Sequence, residues 1–294
     1  MSITVKTKNE ILYCISRLYY MFNRPQVRIM SIDETIDYLS VEGNSIVRFG
    51  DGEFSIICQH KIDNYQDVNE QLAEKLKKSL MFRGDKILIC LPETLCNMSL
   101  CSNSRISRVN WFNNYFRNKY AYKNYIDKEY VYGNAFVSRT YLIYPDKSKC
   151  DEWFSRLRGV FKDRDLLLIE GKYSRSGVGN DLFSEAKSIK RIICPPLNAF
   201  NKYNEILETA RKNMNGKLVL LALGPTSKPL AVELARNGAW VIDIGHLDSE
   251  YEWFLSGAKE KVKIAGKHTP EKRDANIEEC TDVNYLNSII KIIE

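Results

Sequence analysis

The stretch "KLVLLALGPTSKPLAVELARNGAWVIDIG" (residues 217–245) reads as strand, helix, strand. Its opening apolar run has no polar break, as in strands buried on both faces of a parallel sheet. Gly224 closes that run, Thr226 or Ser227 can cap the next helix, and Pro229 falls in the first turn, where a missing N–H does least harm. The helix is expected near 226–237, and "GAWVIDIG" follows as a second buried strand. Such a unit brings its second strand back parallel to the first by a right-handed crossover.

The same rhythm extends to both sides. "DLLLIEG" (165–171) is followed by a glycine-bearing loop and a helical patch from Asp181. "KRIICPP" (190–196) is followed by a helix near 199–213, and the segment after Gly245 resumes as a helix beginning near Ser249. Four short apolar strands alternating with helices predict a Rossmann-like α/β fold, a mostly parallel sheet flanked by helices. Toward the N-terminus, "SIDE" (31–34) reads as a capping box. "SIVRF" (45–49) and "KILICLP" (86–92) read as strands. Val68, Leu72, Leu76 and Leu80 recur at intervals of four, which predicts a helix over 67–80. Residues 104–120 read as a helix rich in Arg, Asn and aromatics, with Arg105, Arg108, Trp111, Tyr115 and, just beyond, Tyr122 open to two readings: the wall of a cleft or a buried face.

Composition narrows the class. The chain has 294 residues, 44% hydrophobic and 27% charged, enough to bury a substantial core. A net charge of +6 suits anionic partners, but no dense Lys/Arg tract argues for nucleic acid. The eight cysteines, at 14, 58, 90, 96, 101, 150, 194 and 280, form no CxxC pair and lack histidines at zinc spacing. They are expected to be free thiols in a reducing cytoplasm. The N-terminus "MSITVKTKNEILYCISRLYYMFNRPQ" (1–26) is interrupted by Lys, Glu and Arg and lacks the apolar core of a signal peptide, and no later run approaches the ~20 residues of a membrane span. Within it lies the apolar stripe "ILYCISRLYYMF" (11–22). It is expected to pack on the domain, with a peripheral membrane contact as the other reading.

Ligands of open α/β sheets bind beyond the carboxyl ends of the strands, and the polar signals concentrate there. In "EGKYSRSGVGNDLF" (170–183), Gly171, Gly177 and Gly179 permit close approach of backbone to a ligand. Lys172 and Arg175 add positive charge, and Asn180 or Asp181 can cap a following helix. Gly224, Pro225 and Thr226 repeat that logic, although neither stretch fits GxGxxG. In "VIDIGHLDSEYEWF" (241–254), Asp243 and His246 sit at a strand end, Ser249 with Glu252 forms a capping box, and Glu250 lies near the helix start. In "RFGDGEF" (48–54), Asp51 and Glu53 flank Gly52; in an extended segment both would point to one side and converge on one cation. Hard oxygen ligands of this kind suit Mg²⁺ or Mn²⁺. Arg48 and Gly50 would help the loop wrap a ligand.

These stretches, in this order over roughly residues 28–262, resemble the bacterial GT-D-type glycosyltransferases, once catalogued as a domain of unknown function. Residues 1–27 and 263–294 would then be an N-terminal helical extension and a C-terminal extension packed on the domain. The resemblance implies a Rossmann-like fold, a nucleotide-sugar donor that is typically UDP-linked, and an Asp51–Glu53 D-x-E motif that serves metal and UDP coordination. It implies transfer to a glycan, a lipid-linked or a protein-linked sugar. Positional reasoning adds Lys172, Arg175 and the amides near Asn180 as phosphate contacts. Glu250, Asp243 or His246 would be the base for the acceptor hydroxyl. Two alternatives are a non-catalytic sugar-nucleotide or partner-binding module and another Rossmann-type transferase such as a methyltransferase.

Overall fold

A computed structural model describes residues 3–61, 66–98, 105–268 and 277–294, with side chains from residue 10 onward; Cys101 lies outside the described residues. The strands are β1 (Ser45–Arg48), β2 (Ile87–Leu91), β3 (Gly133–Asn134), β4 (Asp165–Gly171), β5 (Ser188–Cys194), β6 (Leu218–Ala222), β7 (Trp240–Asp243) and β8 (Ile289–Ile292). They form one sheet in the order β3-β2-β1-β7-β6-β4-β5-β8, and every pairing is parallel. The helices are α1 (Ile3–Asn23), α2 (Ile32–Ser40), α3 (Asp51–Ile57), α4 (Glu70–Leu80), α5 (Arg105–Arg117), α6 (Lys119–Tyr125), α7 (Cys150–Phe161), α8 (Tyr203–Asn213), α9 (Ser227–Arg236), α10 (Leu247–Leu255) and α11 (Val283–Ser288).

Alternation along the strands separates two cores. Val47, Ile89, Leu167, Ile169, Val219 and Leu221 face one side, where α3, α4, α5, α6, α8 and α9 cover them. Ile46, Leu88, Leu166, Leu168, Leu220 and Ile242 face the other, beneath α2, α7 and α10. Burial on both faces explains why β2 and β6 are apolar without alternation. The sheet is continuous because β7, from the C-terminal half, pairs with β1 from the N-terminal half. The predicted capping box forms: Ser31 Oγ accepts from the Glu34 N–H at 3.1 Å, and Glu34 accepts from the Ser31 N–H at 2.7 Å. The helix predicted over 67–80 begins at Glu70, behind Asn69 as N-cap.

Three local expectations are overturned. Asp51 and Glu53 are helical rather than extended, because Gly50 ends β1 and opens α3. No helix follows Asp181; residues 181–187 form turns. There Leu182 and Phe183 are buried as an adjacent pair, Phe183 edge-on to Phe161 at 5.1 Å, without the i+3/i+4 continuation a helix face needs. The helix expected at Ser249 starts at Leu247, so Ser249 lies within its first turn and caps nothing.

Candidate active site

The carboxyl ends of the strands open onto a cleft of about 510 Å³. Its floor is the turn from β1 into α3. Glycine at position 50 carries the chain from strand into helix, and Glu53 turns back so that its Oε2 accepts from the Gly50 N–H at 2.7 Å. Asp51, two residues earlier in the first turn, is therefore rotated away from Glu53, yet both line the cleft. Asp51 is open to the cleft, with protein around its remaining sides. Desolvation raises its carboxyl above the ordinary aspartate range; Arg139 opposes that shift, and Glu53 adds to it.

Behind this floor lies a buried charge network. Lys228 Nζ, in the first turn of α9, reaches Glu53 Oε1 at 3.2 Å, Asp243 Oδ2 at 3.1 Å and the Gly224 carbonyl at 3.1 Å. Arg48 donates from its backbone N–H to Asp243 Oδ2 at 3.1 Å. Its Nε bonds the Asp243 carbonyl at 2.6 Å and its Nη1 the Ala135 carbonyl at 3.1 Å. Arg48 and Lys228 also line the cleft, whereas Asp243 is fully buried and does not. The turn after β7 must pass close to Arg48. Gly245 has φ +47°, and a Cβ there would meet Arg48 Nη2 at 1.8 Å.

Gly245→Ala is therefore expected to displace Arg48 as well as strain the backbone. A loss of roughly 3 kcal/mol or more follows, since one partner leaves a buried ion pair. Gly257→Ala is the control, because φ is +64° and nothing lies within 4 Å of its Cβ position. Urea unfolding should show the larger loss only at Gly245.

The cleft has two unlike walls. Toward β4, β5 and β6 it is lined mostly by uncharged groups, among them Tyr173, Ser174, Pro195, Pro196, Gly224 and Pro225, with Asp248 and His268 beside the loop after β4. Toward β2 and β3 it is lined by Trp111, Asn114 and Arg117 of α5, with Phe136, Arg139 and Lys61. His246 also lines it, at the N-terminal end of α10.

Of the residues singled out in the sequence, Arg48, Gly50, Asp51, Gly52, Glu53, Gly171, Gly224, Pro225, His246 and Ser249 line this cleft. Glu250 does not. It is buried, accepts from the Tyr141 and Leu142 N–H groups at 3.1 and 2.8 Å, and burial raises its carboxyl. Thr226 is fully buried behind Pro225. The loop after β4 uses its polar residues on the protein itself. Arg175 donates to the Gly266 and Glu278 carbonyls, both at 2.7 Å, and Lys172 pairs with Glu279 at 3.3 Å. Asn180 bonds Asp248 and Glu252, and Asp181 pairs with Arg158 at 2.8 Å. Neither these four nor Gly179 is among the lining residues. That stretch contributes Gly171, Tyr173, Ser174 and Ser176 instead; the buried Glu170 accepts from the Ser176 N–H at 2.9 Å and pairs with Arg191. Of the residues read ambiguously near α5, Trp111 belongs to the cleft. Tyr115 and Tyr122 stack in the core at 4.9 Å, and Arg105 pairs with Glu10.

Lys228 was not legible as a site residue. Its one sequence signal is a cation in the first turn of a helix, against the dipole, which a nearby carboxylate has to offset. Arg139 carried no signal, because only the packing of the segment after β3 brings it to Asp51.

A family model described as the glycosyltransferase GT-D fold matches residues 46–272. The chain is 40% identical over 267 residues to "Probable glycosyl transferase Gly" of Streptococcus gordonii, covering 90% of this chain and 39% of that protein. It is 39% identical to "Glycosyltransferase GlyD" of Streptococcus pneumoniae serotype 4, covering 90% of this chain and 32% of that one. The chain thus spans 32–39% of the length of these curated relatives. Among solved structures, one described as the conserved domain of unknown function 1792 with a distinct glycosyltransferase fold superposes with a TM-score of 0.87. Its identity is 40%, covering 96% of this chain and 98% of that one. A further one, described as a new glycosyltransferase from Streptococcus sanguinis, has a TM-score of 0.86 and 39% identity, covering 92% and 100%.

Proposed function

Because the chain belongs to the family of glycosyltransferases with the GT-D fold, we propose that it transfers a sugar from a UDP-sugar to a hydroxyl of a glycan, lipid-linked or protein-linked acceptor bound in this cleft. The observation that carries this reading is Asp51. A carboxyl group whose charged form is disfavoured by its surroundings stands at the mouth of the sheet, beside the end of the inner strand β1. A divalent cation would relieve that cost.

The donor set fits only one kind of metal. No cluster of three or more His, Cys, Asp or Glu residues able to hold a metal occurs among the described residues. That excludes a cage of side chains within them. Mg²⁺ and Mn²⁺ sites commonly use one or two carboxylates and fill the rest with waters and substrate phosphates. Asp51 would supply the first ligand. Glu53 retains acceptor capacity beside its bonds to Gly50 and Lys228 and would supply the second. Held there by Asp51 and Glu53, such an ion would supply positive charge to the diphosphate.

The remaining steps belong to the chain's own groups. The mostly uncharged wall at β4–β6 would take the nucleoside, with Tyr173 offering a ring face. Lys228 holds Glu53 in place and adds positive charge where the diphosphate would lie. Of the three candidates for the base, Asp243 and Glu250 lie behind the cleft surface, and His246 is the one that lines it. His246 would therefore take the acceptor proton.

Incubating the protein with a panel of UDP- and GDP-sugars and Mn²⁺ tests the reading. Nucleotide release from a UDP-sugar is expected, abolished by EDTA and restored by added Mn²⁺. UDP binding without release from any donor, with every acceptor tried, would point to a non-catalytic module. Preferential binding of S-adenosylmethionine would point to a methyltransferase. No described helix is long and apolar enough to cross a membrane.

A further inference from the structure

The wall of the cleft built on α5 carries more positive charge than a nucleotide-sugar and its cation require. Glu53 is bonded to Lys228, Asp248 to Lys267 at 2.7 Å, and Asp51 is faced by Arg139. A donor diphosphate and a divalent cation cancel each other. Lys261, from the segment after α10, also lines the cleft. On the α5 wall stand Lys61 and Arg117, both exposed in the cleft, and neither forms an ion pair among the described residues. They come from different elements and meet: Arg117 Nη2 lies 3.4 Å from the Lys61 carbonyl. The dipole at the end of α5 accounts for a cation at Arg117, but not for a second one brought to the same wall by the segment after α3.

Two further features make this wall a site. Trp111, half-buried two turns before Arg117, packs edge-on to Phe136 at 5.9 Å, and both rings line the cleft. Sugar rings stack on such faces. The wall is also tied to the carboxylate floor, because Asn118 Nδ2 donates to Ser55 Oγ at 3.0 Å, one helical turn beyond Asp51. The cations therefore stand next to the reacting centre, on the opposite side from the mostly uncharged wall.

We propose that the α5 wall is the acceptor subsite and that it takes a sugar bearing a phosphate or diphosphate. The ring lies against Trp111 and Phe136, and the anion is held by Lys61 and Arg117. This rests on the glycosyltransferase reading above and adds the acceptor's chemical class. The shared chemistry is the phosphate ester on the sugar, whether free or attached to a lipid.

Calorimetry on the UDP- and Mn²⁺-loaded protein tests it, with a hexose 1-phosphate, the matched free hexose and a dodecyl-diphosphate-linked hexose as probes. The phosphorylated probes are expected to bind at least ~10-fold tighter than the free hexose. The Lys61→Gln/Arg117→Gln variant should lose that preference while retaining UDP affinity and thermal midpoint; Arg117→Lys should keep most of it. Tighter binding of the dodecyl probe than of the free phosphate identifies the lipid-linked source, and equal binding identifies the phosphate alone. Equal affinity for phosphorylated and free hexose, or a preference that survives the double variant, overturns the proposal. Loss of UDP binding by the wild type would instead overturn the transferase reading on which it rests.

Discussion

Asp51→Asn is expected to lower kcat/KM by at least about 100-fold while leaving the protein as stable at neutral pH as the wild type, or more so. The two halves of this result have one cause. Desolvation in the cleft and the neighbouring Glu53 raise the Asp51 carboxyl above its ordinary range, so the folded protein disfavours the charged form. For a group raised in this way, the stabilising contribution is complete below the unfolded pKa and is lost as pH rises through the folded one. Asn removes the charge that the folded protein disfavours. The same charge attracts a divalent cation. Added Mn²⁺ and UDP should therefore raise the thermal midpoint of the wild type, by ~2.7 kcal/mol of stability at a ligand concentration 100 times Kd. The variant should respond far less. Wild-type activity should also fall on the acid side at a pH above the ordinary aspartate range, as protons displace the cation. Full activity in Asp51→Asn, or a loss of activity explained by unfolding, would remove the metal role.

Lys228→Met is expected to be the most damaging single change, through stability and activity together. Lys228 Nζ is buried and bridges Glu53, Asp243 and the Gly224 carbonyl, each at 3.1–3.2 Å. Removing one member of a buried ion cluster leaves its partners charged and without compensation, at a cost of about 3–5 kcal/mol. Asp243 keeps its bonds to Arg48, which places this variant toward the lower end of that range. Among the described residues Glu53 has no comparable second cation and keeps the Gly50 N–H alone. Chemical denaturation of Lys228→Met and Lys228→Met/Glu53→Gln separates the two contributions, because the double variant should recover part of the loss. Stability within 1 kcal/mol of the wild type for Lys228→Met would show that the network is not what holds the floor of the cleft.

The strands and most of the helices were legible because their signals are local. Unbroken apolar runs such as "KLVLLALG" suit strands buried on both faces, and β4 through β7 lie where those runs are. The exceptions were decided by competition between short-range options. Gly50 allows either a turn or a helix start, and the return of Glu53 to the Gly50 N–H selects the helix. Asp181 resembles a helix cap, but Arg158 and Tyr251 take its carboxylate instead.

The site divides along the same line. Sequence by itself determined the parallel α/β architecture, the edge at which ligands bind, and Asp51, Glu53, Gly224, Pro225 and His246 as residues of that edge. Tertiary structure decided which charges are spent within the protein and which face the cleft. Arg175, Lys172 and Asn180 satisfy partners up to about a hundred positions away, while Lys228, Arg139, Lys61 and Arg117 converge from four separate segments. A side chain's charge is written in the chain, but its partner is whichever group packing brings within about 3 Å. In a parallel sheet those groups come from strands adjacent in space and distant in sequence.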